Sequence, residues 1–576
     1  MIETEKSLAS SFLSWRKLPL LALLVSLATP LIAVQESFWI DELQSAWAAK
    51  SPDWIARAAQ GNQVPAFFGL LRLAHGIGLS ADWQSRLLVG LLWACGLTLG
   101  WRSMALHLSF NQRCQNAFWW VVAIWVLIDP VAWFYAIEVR PYGMVCILSL
   151  ALVLRDIRLA EAIALRHAQG LAQRQVDRLE DAMPWRSDPW WMLASIALLA
   201  THLTSLALVV ASAIARIVLP WLLSCSAAPS SEGRSLDWFR YLMARGCELA
   251  TAMLALGLLY PWIGRVVARK VLWSPMDANW IDFLRHRWHA WFVVASMWLV
   301  WEAVAAGVRS IRRHRSSHPA PLAPWPVAPS TVASVALAAV LGQGIAMYLT
   351  SYLLGWNGAS HLRYWIGFYP LAVAWISWCL AKRVSEAIPG NGLVRWNWIL
   401  AAALSLLPLL QTSQGISLRA AIWLRGEDWE RAIEWIAREG DGSCERLVLA
   451  PKLVETASAE MMQQATIPYL RFAIDAVYPQ PNSLSDHQRA QWEAISAKAL
   501  VVSNRAQEWN LDLSWPEAVQ GIWILVRSLN PEEIHLPQDD GGGFFNPADW
   551  ELKESHSFGQ LQVAHWRRLD SANPSP

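Results

Sequence analysis

The segment FWIDELQSAW (38–47) sets two adjacent carboxylates, Asp41 and Glu42, among tryptophans beside an apolar run. An ionised side chain at a membrane surface is costly unless it serves a site or stays in water. Such a carboxylate can deprotonate an attacking hydroxyl or help hold a divalent cation. On spacing alone the pair fits a solvated loop or a helix cap equally well. Three other short segments carry matching chemistry. IEVRPYGM (137–144) brings Glu138 and Arg140, THLTS (201–205) brings His202, and HLRYWIGFYP (361–370) brings His361, Arg363 and Tyr364. Arginine can neutralise a phosphate through two hydrogen bonds, and His with a carboxylate can ligate a metal. Taken singly, each has a plainer role: the His as a hydrogen-bonded interface residue, the arginines as snorkelling side chains.

These residues depend on apolar elements to bring them together. The chain is 55% hydrophobic and 16% charged, against roughly 25% charged in a soluble domain, with mean hydropathy +0.27. Many of its 39 Trp stand near the ends of apolar runs, where indole favours the headgroup level. Runs of about 20 apolar residues mark membrane spans. They fall near 18–36, 84–101, 115–134, 140–155, 190–204, 206–223, 248–264, 287–308, 329–354, 364–381 and 396–412, so a polytopic α-helical membrane protein of about 11 spans is expected. The first run follows Arg16 and Lys17 and reads as a retained span rather than a cleaved leader.

With the N-terminus cytosolic, the basic positions Arg102, Arg113, Arg234 to Arg245, Arg309 to Arg315 and Lys382 to Arg395 all fall on cytosolic connections, as the positive-inside rule requires. Arg265, Arg269 and Lys270 are the exception and fall outside. The same topology puts Asp41, Glu42, Glu138, Arg140, His202, His361, Arg363 and Tyr364 on one outer face, with 37–83 as a long first outer loop. Segment 156–183 reads as a separate interfacial or cytosolic helix, and 224–233 and 316–330 as connectors.

After residue 412 the composition turns soluble. EDWERAIEWIAREG (427–440) has helical spacing at Trp429, Ile433 and Ile436, and 446–451, 498–503, 521–528 and 561–566 read as short buried strands. The expected organisation is a transmembrane catalytic domain, 1–412, followed by an extracytoplasmic α/β domain, 413–576, whose lone Cys444 cannot form an internal disulfide. The net charge of +2 and the absence of a basic arm or zinc-type cysteine spacing exclude nucleic acid as a partner.

The order of these motifs resembles the C-type superfamily of membrane glycosyltransferases, in the branch of protein O-mannosyltransferases and the aminoarabinose transferase of lipid A. An Asp-Glu pair in the first outer loop, a Pro-aromatic segment like NQVPAFF, an element like EVRPY, a THxT-like tip and a late RY before a Pro occur here in sequence. The resemblance covers roughly 1–412, and the EDW opening of 427–440 is similar to relatives with a C-terminal outer domain.

What the resemblance implies is an inverting sugar transfer from a polyprenyl-phosphate donor to a lipid, glycan or protein acceptor at the outer face of the plasma membrane. It implies Asp41 as the acceptor-activating base with Glu42 in support. Arg140, Arg363 and Tyr364 would bind the donor phosphate, and Glu138 and His202 are candidate metal ligands, with the divalent cation left open as a cofactor. NQVPAFF lacks the Tyr usual after the Pro, and there is no Asp-x-Asp motif. The competing reading from the residues is a transporter or flippase for lipid-linked glycans, which calls for ionisable groups near the bilayer midplane and broken helices. A third is a non-catalytic assembly or sensor protein.

Overall fold

The computed structural model describes residues 40–60, 64–107, 112–168, 186–226, 238–268, 366–386, 427–451, 483–502, 519–527 and 550–569, together with 23–24, 38, 453, 462 and 474–477. The expected spans at 287–308, 329–354 and 396–412, nearly all of 18–36, and the residues His361, Arg363 and Tyr364 lie outside the described residues.

The segment expected as the first outer loop holds three short helices: α1 (Ile40–Lys50), α2 (Trp54–Gln60) and α3 (Pro65–Gly76). Asp41 and Glu42 occupy the first turn of α1, where negative charge suits the positive end of the helix dipole. Pro65 opens α3, a position whose N–H would have no helical partner anyway.

Six helices and a bent pair's second half follow: α4 (Asp82–His107), α5 (Gln112–Ile128), α6 (Pro130–Ile137), α7 (Tyr142–Ala168), α8 (Pro189–Thr201), α9 (Leu206–Ser226) and α10 (Trp238–Leu258). The short α11 (Tyr260–Ala268) and α12 (Tyr369–Glu386) follow among the described residues. Among the described residues, Asp82–Ala105 and Phe239–Leu258 are each long and apolar enough to cross a membrane. A third span exists if α5 and α6 are counted together. Leu99, Leu127, Leu193, Ile214, Leu254 and Leu258 face outward from these helices, a surface suited to hydrocarbon rather than water.

The structure departs from the sequence reading in three places. The expected span 115–134 is bent by 69° between α5 and α6. Pro130 has no N–H to continue the ladder, and the buried Asp129 carboxylate caps the new helix by accepting from Val131 N at 2.9 Å. The span 140–155 and the described part of the helix expected at 156–183 are one continuous helix, α7, which runs to Ala168. The span 248–264 begins instead at Trp238 and ends at Leu258.

The last two differences share a cause, because the charges that suggested a helix boundary are buried in pairs. Arg216 reaches Asp156 and Glu248 at 3.0 Å each, Arg245 reaches Glu248 at 3.0 Å, and Arg155 reaches Asp188 at 2.8 Å. Three acids and three arginines thus tie α7, α8, α9 and α10 together. Elsewhere Gly96 and Gly100 of α4 lie against Ile147 and Leu150 of α7, where a Cβ would collide. This small-xxx-small spacing lets two membrane helices approach closely.

The C-terminal region is an α/β unit. Strands β1 (Glu445–Ala450), β2 (Leu500–Val501), β3 (Gly521–Arg527), β4 (Trp550–Phe558) and β5 (Leu561–Arg568) form one sheet in the order β2-β1-β3-β5-β4. β1 runs parallel to β2 and β3, while β5 pairs antiparallel with β3 and β4. Helices α13 (Trp429–Glu439) and α14 (Asp486–Ser496) accompany the sheet, the second opened by a Ser485–Gln488 capping box.

All seven residues of β3 are buried, as befits a strand flanked on both sides. The apolar core of this unit does not end at its own boundary. Trp429, Ile433, Trp523 and Leu561 belong to the same buried cluster as Ile40, Leu43, Phe67 and Val139 of the first-loop region. The first loop and the α/β unit therefore share one core.

Candidate functional site

The site is assembled around Glu138 to Tyr142, the junction of α6 and α7 together with the first residue of α7. On one side they meet α1. Val139 N–H donates to Glu42 Oε1 at 2.9 Å, and Arg140 Nη1 donates to the Asp41 carbonyl at 3.2 Å and to Gln44 Oε1 at 3.3 Å. Arg140 Nη2 stands 3.8 Å from the Asp41 carboxylate. On the other side the Tyr142 ring lies 5.6 Å from the His202 ring and 5.3 Å from that of Tyr135. The structure thus brings Asp41, Glu42, Glu138, Arg140 and His202 into one neighbourhood.

Burial separates their roles. The side chain of Asp41 is 24% exposed, whereas that of Glu42 is 0% and that of Arg140 is 5% exposed. Glu138 and His202 are buried. Glu42 forms a 2.8 Å ion pair with Arg86 of α4, itself buried. A buried carboxylate whose two oxygens are taken by a guanidinium and a backbone N–H fixes helices; it does not collect protons from a substrate. Glu42 thus ties α1 to α4 through Arg86 and to the Glu138–Tyr142 segment through Val139. His202 caps a short helical turn, its Nδ1 2.6 Å from the Thr204 hydroxyl.

Among the described residues no three His, Cys, Asp or Glu side chains come close enough together to hold an ion. On α3, His75 has its pKa lowered to about 4 by burial and, secondarily, by Lys50.

Three participants were not singled out by the sequence: Arg86, Gln44 and Tyr142. Tyr142 stood inside the quoted EVRPY element. Gln44 lies three positions after Asp41, on the same helical face. Arg86 carried a usable signal, an arginine near the start of a long apolar run, where a charge needs a partner.

No protein-family model matches the chain, and no curated protein matches it. Among solved structures it is similar to the archaeal oligosaccharyltransferase AglB from Archaeoglobus fulgidus in complex with an inhibitory peptide and a dolichol-phosphate. That match has 12% identity and a TM-score of 0.43 over 88% of this chain and 69% of that one. It is also similar to the Archaeoglobus fulgidus oligosaccharyltransferase in complex with Zn and sulfate, at 11% identity and a TM-score of 0.42 over 88% and 67% of the two chains. The apo form of that enzyme gives 12% and 0.43 over 87% and 66%. A likeness at this level assigns neither activity nor site.

Proposed function

We propose that the chain is a multi-pass plasma-membrane glycosyltransferase, of the C-type kind its motifs resemble, that moves one sugar from a polyprenyl-phosphate donor to an acceptor at the outer face. The observation that carries this reading is the partly exposed Asp41 carboxylate, 3.8 Å from the buried Arg140 and next in sequence to a Glu42 that is fully engaged elsewhere. Asp41 takes the proton of the acceptor hydroxyl as its oxygen attacks the anomeric carbon. The bond from that carbon to the phosphate oxygen breaks, the polyprenyl phosphate leaves with the electron pair, and the anomeric configuration inverts.

A phosphate is a good leaving group, so the reaction needs cationic stabilisation more than a general acid. Arg140 supplies it beside Asp41, with Arg363 and Tyr364 assigned to the same phosphate. Glu138 and His202 are buried close by, the first in sequence and the second through Tyr142, and both are the metal ligands to test. The N-terminus is cytosolic and the α/β unit extracytoplasmic in this reading.

The test is direct: purified protein in detergent, a set of polyprenyl-phosphate sugars and candidate acceptors, and NMR of the product. Transfer with inversion is expected. Transfer with retention contradicts the mechanism, and no transfer from any polyprenyl-phosphate sugar contradicts the activity. One observation favours the flippase reading, the bend between α5 and α6 with its buried Asp129. Movement of a fluorescent lipid-linked glycan across proteoliposomes, without transfer, would establish it.

A further inference from the structure

The Glu427 carboxylate, the first residue of the EDW motif, is buried between the α/β unit and the helix that carries Asp41. Its Oε2 accepts the backbone N–H of Ile40 at 2.9 Å and Trp429 Nε1 at 2.8 Å, and its Oε1 accepts Arg527 Nε at 2.5 Å. Ile40 is the first residue of α1, one position before Asp41. The leading N–H groups of a helix have no partner within it, and Ile40 is buried away from water. A carboxylate from 387 positions further along the chain satisfies that donor and places negative charge at the positive end of the helix.

Glu427 is itself clamped from three directions. It bridges to Gly559 in the turn between β4 and β5, Asp428 N donates to Phe558 O at 3.4 Å, and Arg527 ends β3. The shared apolar core runs directly beneath this contact, from Ile40 and Leu43 to Trp429 and Ile433.

We infer that Glu427 is a positioning residue: it lets the C-terminal α/β unit set the pose of Asp41 by capping α1 from outside the helical part. This deepens the proposed transferase reading and rests on it for its catalytic consequence. The structural coupling itself is independent of which reaction is catalysed. It also gives the α/β unit a role beyond that of an appended binding module, because any ligand that shifts β3 or the β4–β5 turn acts on the first turn of α1.

The experiment uses the full-length protein in detergent, as wild type, Glu427→Ala and the near-isosteric Glu427→Gln. Hydrogen exchange is followed in peptides covering 38–46, 429–439 and 521–527. Loss of a charged hydrogen bond to a buried donor predicts exchange in 38–46 that is faster on the order of 10- to 100-fold in Glu427→Ala. Glu427→Gln keeps a carbonyl acceptor and is expected to lose less, with the other two segments changing little in either variant. Unchanged exchange at 38–46 overturns the inference, and so does equal loosening of all three segments in both variants, which would make Glu427 a residue of the domain's own fold.

In transfer assays kcat is expected to fall roughly tenfold or more in Glu427→Ala with KM within about twofold, and Glu427→Gln to recover part of it. A fall in KM-dependent rate alone overturns the positioning role. If wild type transfers nothing, the proposed function fails, while the exchange result still decides the coupling.

Discussion

Removing the Glu42 side chain should be among the most damaging single changes in the described part of the molecule. Glu42 and Arg86 are both essentially inaccessible to water and 2.8 Å apart, and the second Glu42 oxygen holds Val139 N–H. Glu42→Ala leaves a buried guanidinium without this carboxylate, about 3–5 kcal/mol, and a backbone donor without its acceptor, about 1–3 kcal/mol. The two overlap, so a total near 4 kcal/mol is expected, a large share of the 5–15 kcal/mol typical of folded proteins.

Glu42→Gln keeps the shape and one acceptor oxygen and should cost roughly half as much. Adding Arg86→Met to Glu42→Ala removes the stranded charge and should restore at least about 1.5 kcal/mol. Thermal unfolding in detergent, followed through tryptophan fluorescence, ranks the four proteins. If Glu42→Ala lies within 1 kcal/mol of wild type, or if Arg86→Met deepens the loss, the structural role given to Glu42 is wrong.

Two further outcomes follow from the same physics. Arg216→Met strands Asp156 and part of Glu248 among buried helices, so it should destabilise by about 3–5 kcal/mol while leaving the Asp41 end of α7, about 21 Å away along the helix, in place; hydrogen exchange at 142–146 against 152–160 checks it. His75, with its folded pKa lowered to about 4 from 6.5, binds fewer protons folded than unfolded between those values. Its contribution to stability is thus fully present above pH 6.5 and is lost as pH falls towards 4; His75→Gln should flatten unfolding temperature against pH across that window.

The strands of the α/β unit were legible where they were buried. β1, β3 and β5 are apolar runs of the right length, and the helix at 427–440 showed its spacing directly. β4 was missed because WELKESHSF presents mostly exposed polar side chains, which is how a sheet edge is protected and leaves no hydrophobic signal. The ends of 140–155 and 248–264 were misplaced because hydropathy counts Asp156 and Arg245 as reasons to stop: Asp156 meets Arg216, 60 positions away, and Arg245 pairs with Glu248 on its own helix, a pairing that hydropathy does not weigh.

The site showed the same division. Residue types and shared face marked Asp41, Glu138, Arg140 and His202, whereas the difference between Asp41 and Glu42 is a matter of which carboxylate meets Arg86 across 44 positions of sequence. The docking of Glu427 on Ile40 has no local signature at all.

The central claim is that Asp41 accepts the acceptor's proton, and the most direct measurement compares wild type with Asp41→Asn in single-turnover transfer from a polyprenyl-phosphate sugar. The account predicts a fall of about 10²-fold or more in the rate of the chemical step, with donor binding and unfolding temperature unchanged. Transfer by Asp41→Asn at the wild-type rate would contradict it.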